Sequence, residues 1–300
     1  VSTVLVTGAT GFIGRRLVPA LLDAGHEVRA MTRHPESYDG PGKAVGADVM
    51  DPDSLGPALE GVDVAIYLVH SLDDPDFERK DAQAARHFSR AAAAAGLQQI
   101  VYMGGLGDED QDLSAHLRSR REVEGLLGSD GVPVTVLRAA IVVGHGGISW
   151  ELTRQLVKNL PAMVVPKWVG TRTQPIAIDD VVRYLAGVVG QEQALGRVFE
   201  IGGPETLTYR EMLQGVAQEM NGRNVPIVVL PLLTPGLSSR WLALVTDVDV
   251  TTGRNLIDSM SNEVVVRDTS IRDVVPGEPL TYRESVRRAL AERAASEQQG

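Results

Sequence analysis

Gly8, Gly11 and Gly14 stand at the spacing GxxGxxG in Thr7-Gly8-Ala9-Thr10-Gly11-Phe12-Ile13-Gly14. They follow the apolar run Val4-Leu5-Val6, which has the pattern of a strand buried on both faces. Beyond them Ile13, Leu17, Val18, Leu21 and Leu22 recur at helical intervals. A strand, a glycine turn and a helix in that order make a seat for a diphosphate. Glycine lets the backbone approach the ligand, and the free N–H groups of the first helical turn face its negative charge. The stretch Gly8, Thr10, Gly11, Phe12, Ile13, Gly14 is therefore expected to hold a dinucleotide.

Further positions fit the rest of such a ligand. Arg33 follows a second strand, Glu27 to Thr32, at the point where an NAD-specific fold usually carries an acid for the ribose hydroxyls. A guanidinium there suits a phosphate on the 2′-oxygen, so NADP is expected over NAD. Arg15 and Arg16 are expected close by, although all three arginines could instead solvate a helix face. Asp48, with Val49, ends a third strand, where its carboxylate can accept from the adenine amino group. Leu68, Val69 and His70 end a fourth, Val62 to Val69. His70 either faces the nicotinamide ribose or orients a loop.

The elements that would position these residues alternate regularly. Strands at Gln99 to Met103 and Pro133 to Ala139 are separated by helices from Phe77 and from Ser114, with Gly104 to Gly107 a flexible loop and Asp108 to Asp112 an acidic segment. This is the signature of an α/β chain with a doubly wound parallel sheet. After residue 145 the pattern changes. A helix from Trp150 is followed by an irregular stretch, Pro161 to Gly170, and an extended one, Thr171 to Ile178. Asp179-Asp180 is expected to cap a helix, Val198 to Ile201 to form a late strand, and Thr208 to cap a helix to Met220. The apolar, proline-broken segment Pro226 to Val245 is expected to line or close a substrate pocket, with Trp241 inward; contact with a membrane surface is the lesser alternative.

Composition narrows the partners. The formal charge is −10 with no basic stripe, which excludes a nucleic-acid partner. No cysteine is present, and the six histidines show no ligand spacing, so neither thiol chemistry nor a metal site is expected. The first residues enter a strand directly and no apolar run reaches spanning length, so a cytoplasmic protein without leader or transmembrane segment is expected.

The chain resembles the extended and atypical short-chain dehydrogenases/reductases. The likeness rests on Thr7 to Gly14, the strand-end Asp48 and the long helix before Ile100-Val101-Tyr102. It is closest to a bacterial NAD(P)-binding subgroup through Tyr67-Leu68-Val69-His70-Ser71, His116-Leu117-Arg118-Ser119-Arg120, Leu137 to Gly144 and Pro166-Lys167-Trp168-Val169. The resemblance implies a Rossmann domain over residues 1–205, with 146–175 contributing to a small C-terminal substrate lobe over 206–300. Most relatives carry Tyr-x-x-x-Lys on the helix after the fifth strand, where tyrosine moves a proton and lysine holds the nicotinamide ribose. That motif is absent. His116-Leu117-Arg118-Ser119-Arg120 stands in its place, and Met103-Gly104-Gly105 stands where a serine is usual. The spacing still puts His116 and Arg120 on one helix face.

Two functions follow. In one, the protein is an NADP(H)-dependent oxidoreductase of a small, rather apolar carbonyl or quinone-like compound; His116 supplies the proton and Arg120 binds the cofactor. Trp150, Glu151, Arg172 and Gln174 are then candidate pocket residues, or Trp150 is core and Glu151 and Arg172 pair. In the other, it is a non-catalytic NADP(H)-binding sensor or assembly factor.

Overall fold

The computed structural model of the chain describes residues 1–107, 112–229, 246–247 and 250–299. Strands β1 (Thr3–Thr7), β2 (Glu27–Thr32), β3 (Lys43–Gly46), β4 (Val64–Tyr67), β5 (Gln99–Gly105), β6 (Val134–Ala139) and β11 (Val198–Ile201) form one parallel sheet. Their order is β11-β6-β5-β4-β1-β2-β3. The order reverses between β1 and β4, and a ligand crevice opens at such a switch point.

Alternation along β1 divides the core. Val4 and Val6 face helices α1 (Gly14–Asp23) and α6 (Ile178–Gly187) through Leu17, Val18, Leu21, Val181 and Leu185. Leu5 faces the opposite layer, α2 (Pro52–Leu59), α3 (Phe77–Ala95) and α4 (Ala115–Leu127), through Leu55, Phe88 and Val123. Burial on both faces explains why the central strands read as unbroken apolar runs.

A further cluster is built by α5 (Ile148–Asn159), α7 (Tyr209–Asn221), α8 (Val250–Ser259) and α10 (Tyr282–Gln299), with the parallel pair β8 (Met163–Val165) and β13 (Ile227–Val229). Short pairs join β7 (Val142–Val143) to β10 (Ile176–Ala177) and β9 (Arg172–Thr173) to β12 (Leu207–Thr208). Not all of 206–300 belongs to this cluster: Ile271, on the short α9 (Ile271–Val274), and Val275 pack into the first core with Phe199. Thr208 does cap α7, in a full capping box with Glu211.

Several expectations need correction. The fourth strand is only Val64–Tyr67, because Leu68 to Ser71 turn away to line a cavity. Gly104 and Gly105 belong to β5, not to a loop. A Cβ at Gly105 would come within 2.8 Å of Leu117, and one at Gly104 within 2.7 Å of Glu124, so glycine lets α4 settle onto the strand. Pro161 to Gly170 is ordered as β8 and a 3₁₀ turn, Lys167–Gly170, since β13 supplies a pairing partner remote in sequence. Asp179 and Asp180 lie within the first turn of α6, after Ala177 at the cap position. There their charge still favours the helix dipole. Residues 108–111 of the acidic segment and 230–245 of the apolar one, with Trp241, lie outside the described residues. No described helix is long and apolar enough to cross a membrane.

Candidate cofactor and active site

The glycine turn is set by three contacts. Gly8 has φ +61°, a left-handed conformation that favours glycine. The Gly11 N–H donates to the Gly8 carbonyl at 2.9 Å, closing the turn. A Cβ at Gly14 would lie 2.3 Å from that same oxygen and 2.7 Å from Ala9 Cα, so α1 can start here only without a side chain. Beneath the turn the buried Thr7 hydroxyl donates to the Ile66 carbonyl (3.3 Å) and accepts the Leu68 N–H (2.9 Å). This ties the ends of β1 and β4 together at the switch point.

Above it opens a cavity of about 630 Å³. Gly8, Thr10, Arg33, Asp48, Val49, Leu68, Val69 and His70 all line it. Gly11, Phe12, Ile13 and Gly14 do not; they carry the chain from its wall into α1. Arg33 is exposed and makes no hydrogen bond or ion pair to any described residue, leaving its guanidinium available to an anion. Asp48 Oδ1 accepts the Met50 N–H at 2.9 Å, which fixes the carboxylate at the cavity wall. Arg15 and Arg16 do not join Arg33. Both donate to the His145 carbonyl (2.9 and 2.8 Å), and Arg16 also pairs with Glu292 of α10.

Beyond His70 lies a polar cluster centred on Arg120. Ser114 caps α4 by accepting the Leu117 N–H at 3.3 Å, which places His116 and Arg120 on the first turns of that helix. The Arg120 charge is felt by Tyr67 of β4, His70 in the turn beyond it, Asp81 of α3, Tyr102 of β5 and His116 of α4. Burial pushes His116 down to about 3, with Arg120 and then His70 adding to the effect. His70 is likewise held at about 3, by desolvation first and Arg120 second. Yet more than a third of the His70 surface meets the open cleft, so water screens that shift until the cleft is filled. Burial raises the Tyr102 hydroxyl, and Arg120 offsets part of the rise.

At neutral pH the His116 imidazole is therefore uncharged, as is that of His70 once the cleft is filled, each offering one N–H donor and one acceptor nitrogen beside the Arg120 guanidinium. Such a group can orient an oxygen and stabilise negative charge developing on it. It holds no imidazolium. Among the described residues no three His, Asp or Glu side chains are placed to hold a metal ion.

The four candidate pocket residues are engaged elsewhere. Trp150 is 1% exposed, in the core of the α5–α7 cluster. Glu151 pairs with Arg154 (2.8 Å), Arg293 (3.2 Å) and His145 (3.3 Å), whereas Arg172 pairs with Glu263 (2.9 Å); the expected Glu151–Arg172 pair does not form. Gln174 donates to the Gly203 carbonyl (2.7 Å) and accepts the Val266 N–H (3.0 Å).

Sequence reading missed Asp81, which is 6% exposed; burial raises its carboxyl, and Arg120 and Ser71 offset part of the rise. A signal existed. Asp81 falls in the buried stripe Phe77, Ala84, Ala85, Phe88, Ala92 of α3, where a carboxylate needs a partner.

Residues 8–161 match a family described as NAD(P)H-binding. The chain is 33% identical over 222 residues to a (4-alkanoyl-5-oxo-2,5-dihydrofuran-3-yl)methyl phosphate reductase of Streptomyces griseus, covering 69% of this chain and 70% of that one. It is 24% identical over 239 residues to a photosystem II assembly factor of Cyanophora paradoxa, covering 77% and 72%. In fold it superposes on an NADPH-dependent quinone oxidoreductase from Escherichia coli in complex with NADPH. The TM-score is 0.78 at 20% identity, over 96% of this chain and 99% of that one.

Proposed function

This chain belongs to the NAD(P)H-binding family, among the atypical short-chain dehydrogenases/reductases, and from that premise we propose an NADP(H)-dependent reductase of a small, rather apolar carbonyl or quinone-like compound. One observation carries the reading: the cavity with free Arg33 at one end meets, at His70, the cluster of His116 and Arg120. In this assignment Gly8 to Gly14 hold the diphosphate, Asp48 and Val49 flank the adenine, and Arg33 takes the 2′-phosphate. Leu68, Val69, His70 and Arg120 face the nicotinamide half. Residues 1–205 serve the cofactor, and 206–300 with 146–175 serve the substrate.

Bound, a reduced nicotinamide supplies the hydride. The protein's part is to position the acceptor oxygen and to steady its charge with the neutral His116 N–H and the Arg120 guanidinium. A neutral imidazole is a weak acid, so the acceptor must already be activated, as a quinone or conjugated carbonyl is. The same neutrality, with the missing tyrosine and lysine, favours a second reading: an NADP(H)-binding sensor or assembly protein without turnover. Single-turnover oxidation of bound NADPH against a panel of quinones and enones separates the two. Acceptor-dependent loss of NADPH absorbance is the expected result. Tight binding with no oxidation by any acceptor would move the assignment to the sensor.

A further inference from the structure

Helix α8 serves two different neighbours. Leu256, Ile257 and, just past its end, Met260 pack into the α5–α7 cluster. Asn255, Ser259 and Asn262 fall at i, i+4 and i+7, one polar stripe along the helix and the turn that follows it. Asn255 Nδ2 donates to the carbonyl of Leu72, two residues beyond His70 (3.2 Å). Asn262, 6% exposed, spans the approach to α4: its Oδ1 accepts the Ser114 N–H (3.1 Å) and its Nδ2 donates to the Asp112 carbonyl (3.0 Å). One partner is a donor and the other an acceptor, so the amide fits one way only. The hydroxyls of Ser259 and Ser114 meet at 3.0 Å, and each has one proton to give. Ser259 gives its proton to the Asn255 carbonyl (2.9 Å), so Ser114 donates to Ser259 while its own oxygen accepts the Leu117 N–H (3.3 Å). A run of hydrogen-bonded residues therefore leads from the cap of α4, across α8, to the loop beyond His70. Beside it Leu117, Leu106 and Val264 close a small apolar cluster.

We propose that Ser259 and Asn262, with Asn255, are positioning residues that lock the first turn of α4 to the loop beyond β4 and so fix His116 for its contact with the acceptor oxygen. The inference rests on the reductase reading. His116 is the second residue of α4, two beyond the cap Ser114. A helix end is held only as well as its free backbone groups are satisfied. The local cap ties down the Leu117 N–H, and α8 ties down the cap residue itself. Because the apolar side of α8 is rooted in the α5–α7 cluster, the lobe assigned to the substrate sets the place of the group that meets the substrate's oxygen.

The test is a double-mutant cycle on the full chain, read as the single-turnover rate of NADPH oxidation at saturating acceptor, with naphthoquinone and the other quinones and enones of the panel. Ser259→Ala and Asn262→Ala should each slow the reaction on the order of 10–10²-fold, the cost of misplacing a reacting group by about an ångström, with NADPH affinity kept. Ser259→Thr retains the hydroxyl and should recover most of the rate. In a His116→Phe background neither alanine change should slow the reaction further, because the group they position is gone. Ser259→Ala removes one half-buried hydroxyl, so the cycle can be completed even where Asn262→Ala does not fold. Full additivity in the cycle, or single variants as fast as wild type, would overturn the proposal and leave the reductase reading standing. A wild-type protein that binds NADPH and reduces none of the acceptors would overturn that reading, and the proposal with it.

Discussion

Gly14→Ala probes the glycine turn most directly. The added Cβ would lie 2.3 Å from the Gly8 carbonyl oxygen and 2.7 Å from Ala9 Cα, both backbone atoms. No rotamer can relieve that overlap. The Gly8 carbonyl also accepts the Gly11 N–H, so the relief must come from shifting the turn as a unit. Overpacking of this kind costs about 1–3 kcal/mol, only partly offset by the better helix propensity of alanine, worth up to about 1 kcal/mol. At about 2–4 °C per kcal/mol for a chain of this class, the melting temperature should fall by several degrees. NADPH affinity should fall with it, because the turn that moves is the one assigned to the diphosphate. Gly11→Ala is the internal control: its Cβ meets the Gly8 oxygen at 3.1 Å, an overlap of a few tenths of an ångström. It should melt close to wild type, within about 0.5 kcal/mol in stability, while still obstructing the ligand. Scanning fluorimetry with and without NADPH, and titration calorimetry, read both effects. A Gly14→Ala protein that melts and binds like wild type would refute the reasoning.

Arg33→Ala should weaken NADPH by about one to two powers of ten, the value of a charge-assisted hydrogen bond of roughly 1.5–3 kcal/mol, and leave NADH nearly unchanged; equal losses would remove Arg33 from the 2′-phosphate. His116→Phe should slow single-turnover oxidation of bound NADPH by roughly 10²–10⁴ with cofactor affinity kept, and an unchanged rate would end its catalytic assignment. The folded His116 resists protonation down to about 3 against an ordinary value of 6.5. Its contribution to stability is therefore whole above about pH 6.5 and is lost as pH falls towards about 3. Urea melts across that window should show a slope that His116→Phe reduces; an identical slope would mean the ring titrates normally. Thr208→Ala removes the capping box of α7 and should cost about 0.5–2 kcal/mol, read as a lower urea midpoint at unchanged m-value.

What could be read in the sequence was local. Val4 to Val6, Ile100-Val101-Tyr102 and the alanine face of α3 announce their elements because the burial that shapes them is nearly uniform along the segment. The glycine turn was legible for the same reason: Gly11 and Gly14 answer to Gly8 and Ala9, within seven residues. Long-range pairing was not. Nothing near Arg15 or Arg16 signals that His145 and Glu292 will claim them, and Arg172 finds Glu263, not Glu151, only because β9 runs beside Val264. Asp81 was overlooked for a different reason. A charged residue on a helix is read as solvated unless its register with Phe77 and Ala85 is checked, and that register turns it inward.

Arg16 and Glu292 meet across 276 residues, and on the same side Ser296 reaches His145 Nε2 at 3.2 Å while Arg293 holds Glu151. During synthesis the glycine turn emerges early and this outer brace emerges late. At roughly 5–20 residues per second, the interval is about a quarter of a minute to a minute. Through that time the nascent chain carries the glycine turn without the helix that steadies it, and the first core still lacks Ile271 and Val275. Closing the brace around the glycine turn is therefore a late event in folding, because it waits for α10 however early β1 and α1 have paired.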